Sequence, residues 1–402
     1  MIRWSLFVVA AMSTPAFAQP EPASEGWSSG EHLTGEWGDA RSKLADRGVT
    51  IDLLYAAEIF ASSAHPGNRK IEELGHVDVA VTVDTEKLGL WPGGTFYALG
   101  QNSHGTGINQ LVGSATQISN LEAEPYTQIT ELFIEQALLH DTLKLRIGKQ
   151  DANRDFGTPR FGGNFLNNNF GMFPTTPLPS YPTTGLGAVI SAQPVPWLVA
   201  RAAIYEGSPA VRSLGFDTAF RSGAGYMVAS SVAASHHYGR AQRDGGTTSV
   251  GVWHQTGSFP ELDVIAPART FTTDDGWFIQ NDERIYAHPL DPNDQRGLNV
   301  ILRASGARSD RTQIARYYGG SAAWHGIGGR LDDTVGLGFG YFTVVQPLEG
   351  TPRQGHELLV EAFYKARLTK FVSLQPDAEL YRHPGGDGPN ALLIGCRLKL
   401  KL

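Results

Sequence analysis

The chain has 402 residues, 47 of them glycine, with 10% aromatics, a mean hydropathy of −0.21 and a formal charge of −7. That modest charge, with no block of basic residues, gives no nucleic-acid signature, and a single cysteine, Cys396, excludes an intrachain disulfide or a cysteine-rich metal site. Abundant glycine and aromatics suit many short strands better than a helical enzyme.

The first residues read as an export signal. Arg3 supplies a positive start, Trp4 to Met12 an apolar run, and Ala16-Phe17-Ala18 a small-x-small site before Gln19, so residues 1–18 are expected to be cleaved. No later run approaches the roughly 18 apolar residues of a spanning helix, so a membrane-resident product must be a closed barrel. A soluble periplasmic or secreted protein is the alternative. Residues 19–48 form a leader and one short helix: Gln19 to Gly30 are rich in Pro, Ser, Glu and Gly, and Glu36 to Arg47 carry Trp37, Ala40 and Leu44 on one face. Thr34 is placed to cap that helix and Gly48 to end it. In a barrel it would lie near the periplasmic mouth.

From Val49 to Leu402 the period is two. Val77, Val79, Val81 and Val83 alternate with Asp78, Thr82 and Asp84; Leu298, Val300, Leu302 and Ala304 with Asn299, Arg303 and Ser305; and Leu358, Val360, Ala362 and Tyr364 with Glu357, Glu361, Phe363 and Lys365. At the end, Leu392, Ile394, Cys396, Leu398, Leu400 and Leu402 form an unbroken apolar row opposite Arg397, Lys399 and Lys401. A soluble sandwich alternates too, but it buries its apolar rows. Many such strands without intervening helices predict an all-β, transmembrane antiparallel β-barrel over 49–402. At roughly 24 residues per strand and connection, about 16 strands fit. Short turns at Ala307–Asp310 and Gly328–Asp333 contrast with long connections at Gln150–Pro182 and Ser258–Asp275, the rim asymmetry of such barrels.

One stretch changes character midway. Leu143, Leu145 and Ile147 alternate with Lys144, Arg146 and Gly148; after Gln150 the alternation stops. Asp151, Asn153, Arg154, Asp155 and Arg160 then mix with Phe156, Phe161, Phe165, Phe170 and the asparagines Asn167 to Asn169. This is a loop of polar and aromatic contact groups. On the strands, alternation turns Glu131, Glu135, Lys144, Arg146, Arg201, Arg303, Glu357, Glu361, Lys365, Arg367, Asp377, Glu379, Arg397, Lys399 and Lys401 toward the lumen.

Catalytic motifs are scarce. There is no HExxH, Walker loop or GxSxG, and Gly336, Gly338 and Gly340 alternate along a strand instead of opening a helix. His236 and His237 fall on opposite strand faces. Asp291, Asn293 and Gln295 lack the Gly and Glu of a calcium loop. Glu131 and Glu135, or Glu357 and Glu361, share a face but stand about 13 Å apart along a strand, beyond the roughly 5 to 9.5 Å of a glycosidase pair. Neither a cofactor nor a metal is expected.

LTGEWGDARSKLADRGV, WPGGTF, ISNLEA, LRIGKQDANRDFG, GGNFLNNNFG and FVSLQPDAELYRHPGGDGPNALLIGCRLKL occur in order from Leu33 to Leu400. Taken together they resemble the OprB family of carbohydrate-selective porins. The resemblance implies a sixteen-stranded outer-membrane barrel that passes glucose and other small sugars down a gradient, with outer-membrane lipid around it. It also implies that the loop after Gln150 folds inward. A sugar offers hydroxyls and a CH-rich face, so the expected contacts are Asp151, Asn153, Arg154, Asp155, Arg160, Phe161, Phe165 and Asn167, with Glu135 and Arg146 on the adjoining wall. The ending Lys401-Leu402 departs from the aromatic residue common in such barrels. A general diffusion porin without sugar preference and a secreted β-rich carbohydrate-active enzyme are the rival readings, and a homo-oligomer stays open.

Overall fold

The computed structural model of the chain describes residues 30–63, 71–161, 163–209, 223–238, 244–262, 269–287, 296–346 and 353–402. The expected signal peptide, the leader to residue 29 and Asp291 to Gln295 lie outside the described residues. Sixteen strands form the barrel. The first eight are β1 (Val49–Ser62), β2 (Ile71–Asp84), β3 (Gly94–Gly105), β4 (Tyr126–Leu138), β5 (Leu143–Gln150), β6 (Gly185–Val195), β7 (Leu198–Glu206) and β8 (Tyr226–Tyr238). The second eight are β9 (Asp244–Pro260), β10 (Thr270–Ala287), β11 (Gly297–Ala307), β12 (Ile314–Ile327), β13 (Arg330–Gln346), β14 (Arg353–Arg367), β15 (Val372–Arg382) and β16 (Ala391–Lys401). Each pairs antiparallel with its chain neighbours, and β1 closes on β16 from Leu54↔Lys401 to Ser62↔Leu393. Closure satisfies every strand edge, which the hydrocarbon demands.

The alternation read from sequence sets the two faces. Ile394, Leu302 and Val252 point outward at 57%, 55% and 54% exposure, while the inward Leu393, Glu361 and Phe278 are fully buried. Such a surface belongs in lipid. Its aromatic residues gather toward the two rims: Trp91, Trp197, Tyr286 and Trp324 near one, Tyr226, Trp277, Tyr318 and Tyr341 toward the other. The rim with the chain ends carries the short connections 139–142, 196–197, 328–329 and 368–371; the long connections 106–125 and 151–184 leave from the opposite rim.

Three details differ from the sequence reading. The helix, α1, spans only Ala40–Asp46, because Gly35, Trp37, Gly38 and Asp39 all have positive φ and cannot continue an α-helix. Thr34 makes no cap; its Oγ1 accepts from Trp37 Nε1 at 3.1 Å and Arg41 Nη2 at 3.3 Å. Arg41 in turn donates to the Leu402 carbonyl at 2.6 Å, which docks this segment on the end of β16. Half of Ser258–Asp275 is strand: β9 runs to Pro260, β10 starts at Thr270, and Phe259 pairs with Phe271, which leaves 261–269 as the connection. A ribbon that rises past the bilayer is wet on both faces and loses its apolar row. Ala307–Asp310 lies on the long-loop rim, opposite the rim of Gly328–Asp333.

Among the described residues, two long connections turn into the lumen. Residues 106–125 bury Ile108, Leu111, Val112 and Ile118 against Phe60 and Leu74 of the wall. Residues 151–184 bury Phe156, Phe165, Phe170, Phe173 and Leu178 against Trp253, Phe278, Tyr317, Phe342 and Phe363. The glycine row of β13 makes room: a Cβ at Gly338 would lie 2.5 Å from Phe170 Cε1 and 2.9 Å from Phe165 Cε1.

Candidate functional site

The site is built where β5 ends and its loop turns inward. Asp151 N–H donates to Glu131 Oε2 at 3.1 Å, and Asn153 N–H to Asp151 Oδ1 at 2.8 Å, which starts the one-turn helix α2 (Asn153–Phe156). That turn aims Arg154 and Asp155 at the wall. Arg154 Nη2 donates to Glu131 Oε1 at 2.5 Å. Arg146 of β5 bridges two carboxylates, with Nε to Glu135 Oε2 at 2.9 Å and Nη1 to Asp155 Oδ2 at 2.7 Å. Arg201 of β7 and Lys144 stand 3.9 Å from Asp155 and Glu135.

Aromatic rings orient these arginines. Tyr97 of β3 and Phe133 of β4 stack at 5.0 Å and 29°, with Arg154 5.2 Å from the Tyr97 centroid and Arg146 5.1 Å from that of Phe133. Each guanidinium keeps a fixed plane beside the lumen. Further along, Phe161 N–H donates to Asp282 Oδ2 at 3.2 Å, and the Phe161 ring has Arg160 4.9 Å and Arg284 5.3 Å from its centroid. Arg160 is exposed to the lumen.

The structure places Asp151, Asn153, Arg154, Asp155, Arg160 and Phe161 along one inward segment and brings Glu135 and Arg146 to it. Phe165 and Asn167 belong elsewhere. Phe165, 1% exposed, packs on Phe170 at 4.4 Å and Phe363 at 4.9 Å. Asn167, also 1% exposed, donates from Nδ2 to Glu379 Oε2 and the Tyr381 hydroxyl, each at 2.8 Å. Both fasten the loop to the wall and offer no face to a passing solute. Asn153 Nδ2 likewise donates to Gly171 O at 2.8 Å within the loop.

Wall carboxylates carry the loops. Glu361 accepts Leu166 N–H at 2.7 Å and Asn167 N–H at 3.1 Å; Glu357 accepts Ala115 N–H at 2.9 Å and Gly385 N–H at 2.8 Å. Arg303 supports the carbonyls of Gly157 and Asn169 at 2.7 and 3.1 Å. Within residues 106–125, Glu122 accepts the N–H groups of Ile108 and Asn109 at 2.9 and 2.6 Å, while burial raises its pKa. Burial, followed by the negative charge of Glu131, pushes Asp151 up to about 7. Burial also pushes the Tyr181 hydroxyl, which donates to Leu121 O at 2.7 Å, up to about 12.

Sequence reasoning missed Tyr97, Phe133 and the inward course of residues 106–125. Phe133 lies on the face of Glu131 and Glu135 in ITELFIEQ, a signal that was available; Tyr97 and Phe96 are adjacent aromatics, and only the register decides which turns inward. No group of three or more His, Cys, Asp or Glu side chains among the described residues is arranged to hold a metal ion.

Comparison with known proteins adds to this geometry. Residues 68–402 match the family described as "Carbohydrate-selective porin, OprB family". "Porin B" of Pseudomonas aeruginosa is 20% identical over 443 residues, covering 98% of this chain and 96% of the relative. Among solved structures, "High pH structure of Pseudomonas putida OprB" superposes with a TM-score of 0.84 at 17% identity, over 94% of this chain and 100% of that one. "Low pH structure of Pseudomonas putida OprB" gives 0.62 at 15% identity, over 93% and 99%.

Proposed function

We propose that this chain, which belongs to the OprB family of carbohydrate-selective porins, selects its solutes at the segment 151–161 and the wall beside it. The protein is an outer-membrane porin for passive, carbohydrate-selective diffusion of small sugars such as glucose. In the detailed reading, the selective contacts are Arg146, Arg154 and Arg160, the carboxylates Glu135, Asp151 and Asp155, and the ring of Phe161, with Tyr97 and Phe133 holding two of the arginines in plane.

One observation carries the assignment: planar guanidinium groups, carboxylate acceptors and aromatic rings converge at the inward turn of the loop. Hydroxyls accept from the arginines and donate to the carboxylates, and the CH-rich face of a pyranose rests against a ring. Because Arg146, Arg154, Glu135 and Asp155 already have charged protein partners, a sugar exchanges contacts there instead of gaining new ones. Binding is then shallow enough for release, as flux requires.

Export with removal of 1–18, a leader and helix over 19–48, and a barrel over 49–402 complete the proposal. A homo-oligomer in the membrane is part of it, to be tested by crosslinking. For selectivity, proteoliposomes should swell faster in D-glucose than in an uncharged polyether of equal hydrodynamic size. Equal rates would reduce the protein to a general diffusion porin.

A further inference from the structure

On the rim side of the inward loop, toward the short turns, one wall of the lumen carries a basic strip outside the contacts described above. Arg367 of β14 and Lys399 of β16 stand on either side of Ser373 of β15, in one cross-strand row. Arg397 stands beside Gln375, one turn of the pleat nearer the loop, and Lys365 precedes Arg367 by two residues on the same face. With strands about 4.8 Å apart and about 3.3 Å per residue, Arg367 and Lys399 are rooted about 10 Å apart, with Lys365 and Arg397 about 7 Å farther up. Four long cationic side chains therefore flank Ser373, while Gln375 is buried under the loop and donates from Nε2 to Asn164 O at 2.7 Å.

The strip is only partly neutralised. Arg397 is taken up by Glu58 and by Asn120 Oδ1, the latter at 2.7 Å. Lys365 Nζ donates to a neutral acceptor, Asn164 Oδ1, at 3.0 Å. Arg367 reaches Asp332 at 3.9 Å, across an exposed rim. Lys399 is exposed to the lumen and has no carboxylate within 4.0 Å among the described residues. Of the other acids on the neighbouring strands β14, β15, β1 and β2 that face the lumen near the strip, Glu361, Asp377 and Glu379 are buried, Asp78 is bonded to His76 at 2.8 Å and Gln101 at 2.7 Å, and Asp52 is exposed near the β1 end of the rim. Positive charge remains in surplus where the wall meets water.

We infer that this strip is a relay site for sugar acids, monosaccharides that carry one carboxylate, which the porin passes along with neutral sugars. The sugar half of the inference rests on the porin reading. The carboxylate sits between Arg367 and Lys399, and hydroxyls meet Ser373 and the Asn164 side chain at the edge of the loop. A cleft of one sign between low-dielectric walls concentrates anions and raises their entry rate. Water access keeps each ion pair weak, so the anion leaves toward the rim.

The test is flux through the reconstituted full-length protein, with D-gluconate and D-glucose measured side by side, in wild type and in the double variant Arg367→Gln/Lys399→Gln. The expected result is gluconate flux in wild type and a fall in the gluconate-to-glucose ratio on the order of tenfold in the variant. Lys399→Arg, which keeps the charge, should retain the wild-type ratio. Should the double variant fail to fold, the single variant Lys399→Gln read by reversal potential in a KCl gradient gives the same answer, as a loss of chloride preference. A wild type that carries glucose and no gluconate, or a ratio untouched by removing both charges, overturns the inference. A wild type that carries gluconate and no glucose keeps it and overturns the neutral-sugar reading instead.

Discussion

Glu361 of the barrel wall accepts the backbone N–H of Asn167 at 3.1 Å, while its second oxygen accepts that of Leu166 at 2.7 Å. Loop and wall are joined here through peptide groups, so the contact depends on the wall residue alone. Replacing Glu361 by Ala should leave two buried N–H groups unpaired. Each hydrogen bond to a charged group is worth about 1.5–3 kcal/mol, enough to undock the tip of the loop. The expected outcome in planar bilayers is a several-fold rise in single-channel conductance with weaker block by glucose, the barrel still resisting denaturant on gels.

Gly338 offers an independent route to the same phenotype. Its missing side chain is the slot for Phe165 and Phe170. Gly338→Val overfills that slot at a cost of about 1–3 kcal/mol. It should raise conductance without altering any charge, so ion selectivity measured by reversal potential should stay that of wild type.

The barrel was legible in the sequence because a strand with one face in lipid must keep an apolar row on that face, as Leu298 to Ala304 of β11, Leu358 to Tyr364 of β14 and Leu392 to Leu400 of β16 do. The rim ribbons of β9 and β10 were not, since a ribbon above the bilayer has two wet faces. The loop after Gln150 declared itself by losing the period, yet composition could not say which of its groups face solute. Arg154 and Phe165 are equally contact-like as letters; only the pairing of Glu131 with one and the glycine slot behind the other separates them. Tyr97 and Phe133 lay hidden among alternating strand residues for the same reason.

Asp151 should make ion selectivity pH-dependent. It sits half-buried beside Glu131 and Arg154, and its pKa is pushed up to about 7. The folded chain keeps this proton where an unfolded chain has released it, so the stability contributed by this group falls as pH rises from about 4 to about 7. Above that range the lumen gains one negative charge. Chloride-over-potassium preference should therefore decline between pH 6 and pH 8, on the order of one unit either side of that value. Asp151→Asn should flatten the decline.

Cys396 reports the orientation of the last strand. It lies in the outward row between Ile394 and Leu398 and is half-buried against neighbouring strands. In intact membranes an apolar maleimide should label it and a charged, impermeant one should not. Labelling by the charged reagent would reverse the two faces of β16.

The proposed seat of sugar selectivity is the inward segment at 151–161. Arg160 is the cleanest probe, because it is exposed to the lumen and its removal leaves the Arg154–Glu131 and Arg146–Asp155 pairs intact. The measurement is glucose block of ion conductance through single wild-type and Arg160→Ala channels. Wild type should show a concentration-dependent block; the variant should conduct at least as well and need roughly tenfold more glucose, equivalent to about 1.4 kcal/mol. Identical block in the two proteins, or no block in either, would contradict the placement of sugar selectivity in this loop.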